Sequence, residues 1–164
     1  HDAKRWGHLR EASRLKQLAE VPAAIYASDQ DPAAVKVAQR TFQGAGVGID
    51  IRLRQSDVLA LEAPAEQGVM LINPPYGVRL SRPEELDALY PQLGDWLKQR
   101  FSGWRVYIFT GDLRVPKLIG LAPSKRIPLF NGPLECRLYE FQIVSGPMRK
   151  TIPPSGGKES RLPL

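Results

Sequence analysis

The stretch LINPPYGVRL, residues 71–80, closes a continuously apolar run, GVMLIN (68–73), with an amide, two prolines, a tyrosine and a glycine. An unbroken apolar run of this length predicts a strand buried on both faces, as in a parallel sheet. Prolines fix the backbone and donate no hydrogen bond. A strand that ends in Asn73-Pro74-Pro75-Tyr76 therefore presents the Asn73 side chain and the Pro74 carbonyl rigidly. Both oxygens are acceptors suited to an –NH2 group, and Tyr76 offers a flat face for a planar partner.

Outward from this point, strand and helix alternate. Toward the N-terminus the pattern predicts an amphipathic helix over 3–20, with Trp6, Leu9, Leu15 and Leu18 on one face. A strand follows at 23–28, then a helix opened by Asp31-Pro32, with Val35, Ala38 and Phe42 facing inward. A second strand is expected at 49–55. Toward the C-terminus, 84–101 reads as helix with a possible break at Pro91, 103–111 as strand and 112–120 as a short helix. KRIPLFNG (125–132) and LECRLYEFQIV (134–144) read as a hairpin. The sum is an α/β fold: an open, Rossmann-like sheet with an antiparallel C-terminal edge. Residues 1–144 are expected to form one catalytic domain, and the Pro-, Gly-, Ser- and Lys-rich residues 145–164 a flexible tail or interdomain linker.

Ligands of such sheets bind beyond the carboxyl ends of the strands. Three strand ends carry polar groups: SDQD (28–31), SDV (56–58) and NPPY (73–76). Asp29 is placed to accept from both hydroxyls of a ribose, or to serve only as a turn residue. Asp31 is better placed as a helix cap. Asp57 either accepts from an adenine amine, with the Val58 N–H reaching the ring, or caps a second helix. NPPY holds an amine so that its lone pair points at an electrophile such as a methyl sulfonium. Displacement there is in-line and depends mostly on alignment.

Composition sets further bounds. The 164 residues carry 23 Lys and Arg against 17 Asp and Glu, a net charge of +6 that favours polyanionic partners. Residues 145–164 hold four of those cations and one acid. The single Cys136 excludes an intramolecular disulfide and suits a reducing, cytoplasmic setting. Cys136 alternates with Leu134 and Leu138 and reads as packing, as do Trp96 and Trp104. His1 and His8 have no partners for a ligand set, so no metal is expected. No apolar run is long enough for a membrane helix.

The chain resembles the bacterial 23S rRNA guanine-N2 methyltransferase family. NPPYGVRL (73–80) and FNGPLECRLYEF (130–141) carry the resemblance, which spans about residues 1–144. It implies S-adenosyl-L-methionine as methyl donor, with Asp29 on its ribose and Asp57 and Val58 on its adenine. Asn73, Pro74, Pro75 and Tyr76 would hold a flipped-out guanine, with Asn73 also facing the cofactor. Gly77 would let the following loop approach the substrate. Arg79 and Arg82 would touch RNA phosphates, and Arg149 and Lys150 would add nonspecific attraction. Ribosomal RNA is the implied partner, and a THUMP-like RNA-binding domain is expected upstream. The chain departs from the family in one respect: nothing before Ala23 matches the family's first strand and Gly-rich loop. GAGVG (44–48) follows a helix and reads as its C-terminal turn. The expectation is an N-terminally truncated catalytic domain that binds cofactor weakly by itself. Two further amine chemistries share NPPY, at adenine N6 of DNA and at glutamine N5 of protein. A non-catalytic RNA-binding module is the alternative from another class.

Overall fold

The computed structural model describes residues 2–18, 21–46, 51–74 and 83–144. The chain divides into two compact units, residues 1–61 and 62–164.

The first unit contains α1 (Ala3–Leu15), β1 (Ile25–Asp29), α2 (Pro32–Gly44) and β2 (Ile51–Gln55), followed by a 3-10 turn at Val58–Ala60. Asp2 caps α1 by accepting from the Arg5 N–H at 3.0 Å. α1 stops at Leu15 rather than residue 20, and its apolar stripe is uncovered: Trp6, Leu9, Leu15 and Leu18 are all exposed. Asp31 caps α2 through the Ala33 N–H at 2.8 Å, with Pro32 in the first turn where no donor is needed. Val35, Ala38 and Phe42 are the half-buried face of α2, which packs on β1 and β2. Gly46, at φ 73°, makes the turn after α2, a conformation that costs glycine little. The glycine-rich segment therefore ends a helix, as its position predicts. β1 and β2 pair in parallel, Asp29 opposite Gln55.

The second unit is built on a mixed four-stranded sheet in the order β3-β4-β6-β5. Its elements are β3 (Val69–Ile72), α3 (Pro83–Arg100), β4 (Arg105–Thr110), α4 (Val115–Leu118), β5 (Lys125–Asn131) and β6 (Leu134–Gln142). β3 and β4 are parallel; β6 runs antiparallel to both β4 and β5. The sheet is thus α/β with an antiparallel C-terminal pair. Among the described residues, no ladder joins β1 or β2 to it.

The core lies between this sheet and α3 and α4: Leu93, Leu97, Phe101, Val106, Ile108, Ile119 and Phe141 are almost fully buried. Trp96, Phe101 and Trp104 stack edge and tilt against one another, and the Trp104 indole donates to the Ala65 carbonyl at 3.0 Å. Cys136 is buried packing, as its alternation predicts. Gly94 lets α3 approach α4, since a Cβ there would lie 2.0 Å from the Ile119 carbonyl oxygen.

Two expectations fail. α3 continues through Pro91 without a break. A proline forfeits the bond to the carbonyl of Asp87, but the flanking Tyr90 and Leu93 are buried and hold the helix on the sheet. β3 is not buried on both faces: Val69 and Leu71 are 68% and 70% exposed, while Met70 and Ile72 alternate inward. β3 is an edge strand of its sheet, and α3 and α4 cover one face only. Pro128 sits on the opposite edge strand, β5, where a missing donor breaks no ladder bond.

Candidate active site

The rim of the first unit is made by the carboxyl ends of β1 and β2. The parallel register brings them together: the Ser56 N–H donates to the Asp29 carbonyl at 2.9 Å, and the Gln55 side chain donates to the Gln30 carbonyl at 3.2 Å. Asp29 and Asp57 therefore stand on adjacent strand ends. One Asp29 carboxylate oxygen accepts from the Asp31 N–H at 2.8 Å, which fixes its rotamer. One Asp57 oxygen accepts from the Leu59 N–H at 2.8 Å and caps the 3-10 turn. Neither the cap nor the Asx bond occupies the second oxygen of either carboxylate. The Val58 N–H, at the start of the turn, donates to no described residue. Two held carboxylates and a free N–H are a donor and acceptor set that fits a ribose and an adenine edge. Asp31 is spent as the cap of α2.

The rim of the second unit is made by the carboxyl ends of β3 and β4. Asn73 and Pro74 leave β3 directly; Asn73 is exposed and Pro74 is buried. The β3–β4 ladder ends with Ile72 opposite Ile108, so Asn73 and Pro74 leave β3 at the same end of the sheet at which β4 ends in Thr110. Pro75, Tyr76, Gly77, Arg79 and Arg82 lie outside the described residues, as do Arg149 and Lys150 in the tail.

At the carboxyl end of β4 the structure adds a cluster that sequence reasoning missed. Thr110, fully buried, accepts from the Asp112 N–H at 3.0 Å. Asp112 in turn accepts from the Arg114 backbone at 2.9 Å and from its guanidinium at 3.0 and 2.8 Å. The same guanidinium reaches Asp87 of α3 at 3.1 Å. The bidentate Arg114 contact holds the Asp112 carboxyl below the usual carboxylate range and raises the Arg114 guanidinium in turn. Tyr90 of α3 is fully buried against this corner. Burial pushes its phenol up, so it stays neutral. Its hydroxyl lies by Thr110 yet makes no hydrogen bond of good geometry. An acid right after a strand and an arginine two residues on, TGDLR (110–114), was the available signal.

A second missed feature lies on the other face of the sheet. Glu140, 2% exposed, accepts from Tyr107 and Ser124 hydroxyls, each at 2.7 Å, and from Lys125 at 3.4 Å. The Tyr107 bond, then the Ser124 bond, holds its carboxyl at about 2. The carboxylate is covered by its own donors, so hydrogen bonding outweighs desolvation. This cluster ties β5 to β6 and β4 and is structural. Among the described residues no group of His, Cys, Asp and Glu could hold a metal ion, and no helix is long and apolar enough to cross a membrane.

Comparison with known proteins gives this geometry a family. A candidate RNA methyltransferase of Synechocystis is 34% identical over 87% of this chain and 37% of its own length. A ribosomal RNA large subunit methyltransferase K/L of Shewanella baltica is 34% identical over 93% of this chain and 22% of its own. The chain thus spans roughly a fifth to two-fifths of these relatives. Among solved structures, a Listeria monocytogenes protein described as a predicted N6-adenine-specific DNA methylase superposes with a TM-score of 0.70. It is 28% identical over 84% of this chain and 35% of its own. The family model of the RMKL-like methyltransferase domain matches residues 2–140, and the chain belongs to that family.

Proposed function

We propose that this chain is the catalytic domain of an S-adenosylmethionine-dependent RNA methyltransferase acting on the exocyclic N2 amine of a guanine in 23S rRNA. The observation that carries the reading is the exit of β3. An exposed Asn73 amide and the carbonyl of a buried Pro74 stand at the carboxyl end of a strand of this family's fold. Relatives named for large-subunit rRNA support the substrate class.

The bound cofactor supplies a methyl group on a sulfonium, whose transfer needs no metal and leaves a neutral thioether. Asp29 and Asp57, with the Val58 N–H, would hold its ribose and adenine. The Asn73 and Pro74 oxygens accept the two N2 hydrogens, which pulls the nitrogen lone pair out of the purine plane and toward the methyl carbon. Held in this way, the amine would be aligned for in-line attack on the methyl carbon of the sulfonium, the C–S bond breaking as the C–N bond forms and the amine proton passing to water. Tyr76 would stack on the base, and Arg79 and Arg82 would meet flanking phosphates. Alignment of this kind supplies a large part of the rate.

A second reading, adenine N6 of DNA, shares the amine clamp and has the Listeria methylase in its favour. One experiment separates the two. The full-length protein is incubated with labelled S-adenosylmethionine and either under-methylated rRNA or DNA, and the nucleic acid is digested to nucleosides. Label in N2-methylguanosine is expected. Label in N6-methyladenine instead would overturn the RNA reading.

A further inference from the structure

The β5–β6 hairpin reaches past the end of the sheet that bears Asn73. β6 pairs with β4 only as far as Arg137, opposite Thr110, and Arg137 pairs with Pro128 of β5. Leu129, Phe130 and Asn131 therefore run on beyond the level of Thr110. Three residues of extended chain overhang by about 10 Å. The overhang is on the side where β3 releases Asn73 and Pro74, because β5 and β4 point the same way through β6.

The tip is apolar and uncovered. Phe130 is 71% exposed, with Leu129 and Leu134 also exposed. The turn is made at Gly132, at φ 59°, where an added Cβ would meet nothing. Among the described residues nothing covers this phenyl ring.

Along the same face of β5, toward its start, Arg126 pairs with Tyr139. Residues at even spacing on a strand share a face, so Arg126 and Phe130 do. Arg126 and Lys117 border a cavity of about 680 Å³ floored by Leu113, Pro116, Leu121 and Tyr139. Neither cation forms a salt bridge with a described residue. The neighbouring charges are neutralised: Arg114 by Asp112 and Asp87, Arg137 by Glu135, Lys125 by Glu140. The face thus offers two cations without a salt bridge among the described residues, beside an open depression of mixed polar and apolar lining, and then an exposed aromatic ring. Cations that track a backbone and aromatics that stack bases are how proteins hold single-stranded nucleic acid. The chain's +6 charge suits the same partner.

We propose that the hairpin is an RNA-engaging finger: Lys117 and Arg126 take phosphates of a single-stranded segment, and Phe130 stacks on a base flanking the target. The inference rests on the RNA reading above and extends it to residues outside the amine clamp.

The test uses the full-length protein and a single-stranded fragment of under-methylated rRNA, read by fluorescence anisotropy and by methyl transfer. Phe130→Ala is expected to raise Kd and KM for RNA about tenfold, within the range for losing one stacked base. Turnover at saturating RNA and cofactor affinity should change little. Phe130→Trp, which keeps a stacking face, should restore wild-type binding, and Phe130→Leu should not. Lys117→Ala with Arg126→Ala should lower the salt dependence of binding by about 1.4 in log–log slope, for two single-strand phosphate contacts. Unchanged RNA binding in Phe130→Ala, in a preparation whose wild type yields N2-methylguanosine, overturns the finger and leaves the function standing. Loss of self-association in that variant, with RNA binding intact, overturns it in favour of a second copy. A wild type that labels no RNA overturns the function and the finger together.

Discussion

The two units contrast in what they bury. Among the described residues the buried hydrophobic core lies wholly in the second unit, between Leu86 and Ile143, and the first unit has none. Yet both carry residues of the proposed site: Asp29 and Asp57 stand on the first, Asn73 and Pro74 on the second. The difference teaches that placement of a functional group and possession of a core are separate matters. Local hydrogen bonds suffice to orient the acids, through an Asx bond and a cap. Orienting the amine clamp takes a packed sheet, since Pro74 is held by burial rather than by a bond of its own.

The contrast breaks most easily at the core. Phe101→Ala should destabilise the second unit by about 3–5 kcal/mol, the range for removing a buried phenyl, measured by denaturant unfolding with Trp fluorescence. A cost near zero would mean that the second unit's packing is not what holds it. Next in size, Asn73→Ala should lower methyl transfer by the full-length protein about 10²–10³-fold, the scale for losing one oriented polar contact to the reacting group. Its melting temperature should hold, because Asn73 is exposed. Activity within a factor of two of wild type would remove Asn73 from the chemistry.

Those two sites differ in how far the sequence reveals them. The proposed clamp could be read from the sequence because NPPY is local: two prolines and an amide need no distant partner to be recognised. The acids were legible for the same reason, at strand ends next to caps. The Arg114 cluster was not, because it joins α3 and β4 across 27 positions of chain, from Asp87 to Arg114. Glu140 was not, because inside LECRLYEF its acid looks like any outward residue of an alternating strand. Its donors come from β4 and from the segment before β5.

Smaller effects sharpen the comparison. Gly94→Ala should cost about 1–3 kcal/mol, since α3 must back away from the Ile119 carbonyl; unfolding midpoints read it directly. Glu140 gives the second unit an acid limit. Its folded carboxyl titrates at about 2, below the ordinary value of 4.5, so the unfolded chain binds the proton first. Its contribution is full above about pH 4.5 and is lost as pH falls toward 2. Stability of wild type should therefore fall through that window, and Glu140→Gln should flatten the fall. An unchanged slope in the variant would assign the acid limit elsewhere. Smallest of all, Phe42→Ala in the first unit should cost about 1 kcal/mol, because that ring is only half buried. A loss as large as that of Phe101→Ala would erase the distinction between the units.

By itself the sequence determined the order of the elements, the α/β alternation, the antiparallel close, the cap at Asp31 and the amide at the end of β3, because each rests on residues close in the chain. Tertiary structure alone decided which faces are covered. Hydrophobic periodicity says that a side is apolar and not whether anything lies against it, so the apolar stripe of α1 is exposed, and β3, read as buried on both faces, is exposed on one. It also decided register: only the pairing of β4, β6 and β5 carries Phe130 past the sheet's end.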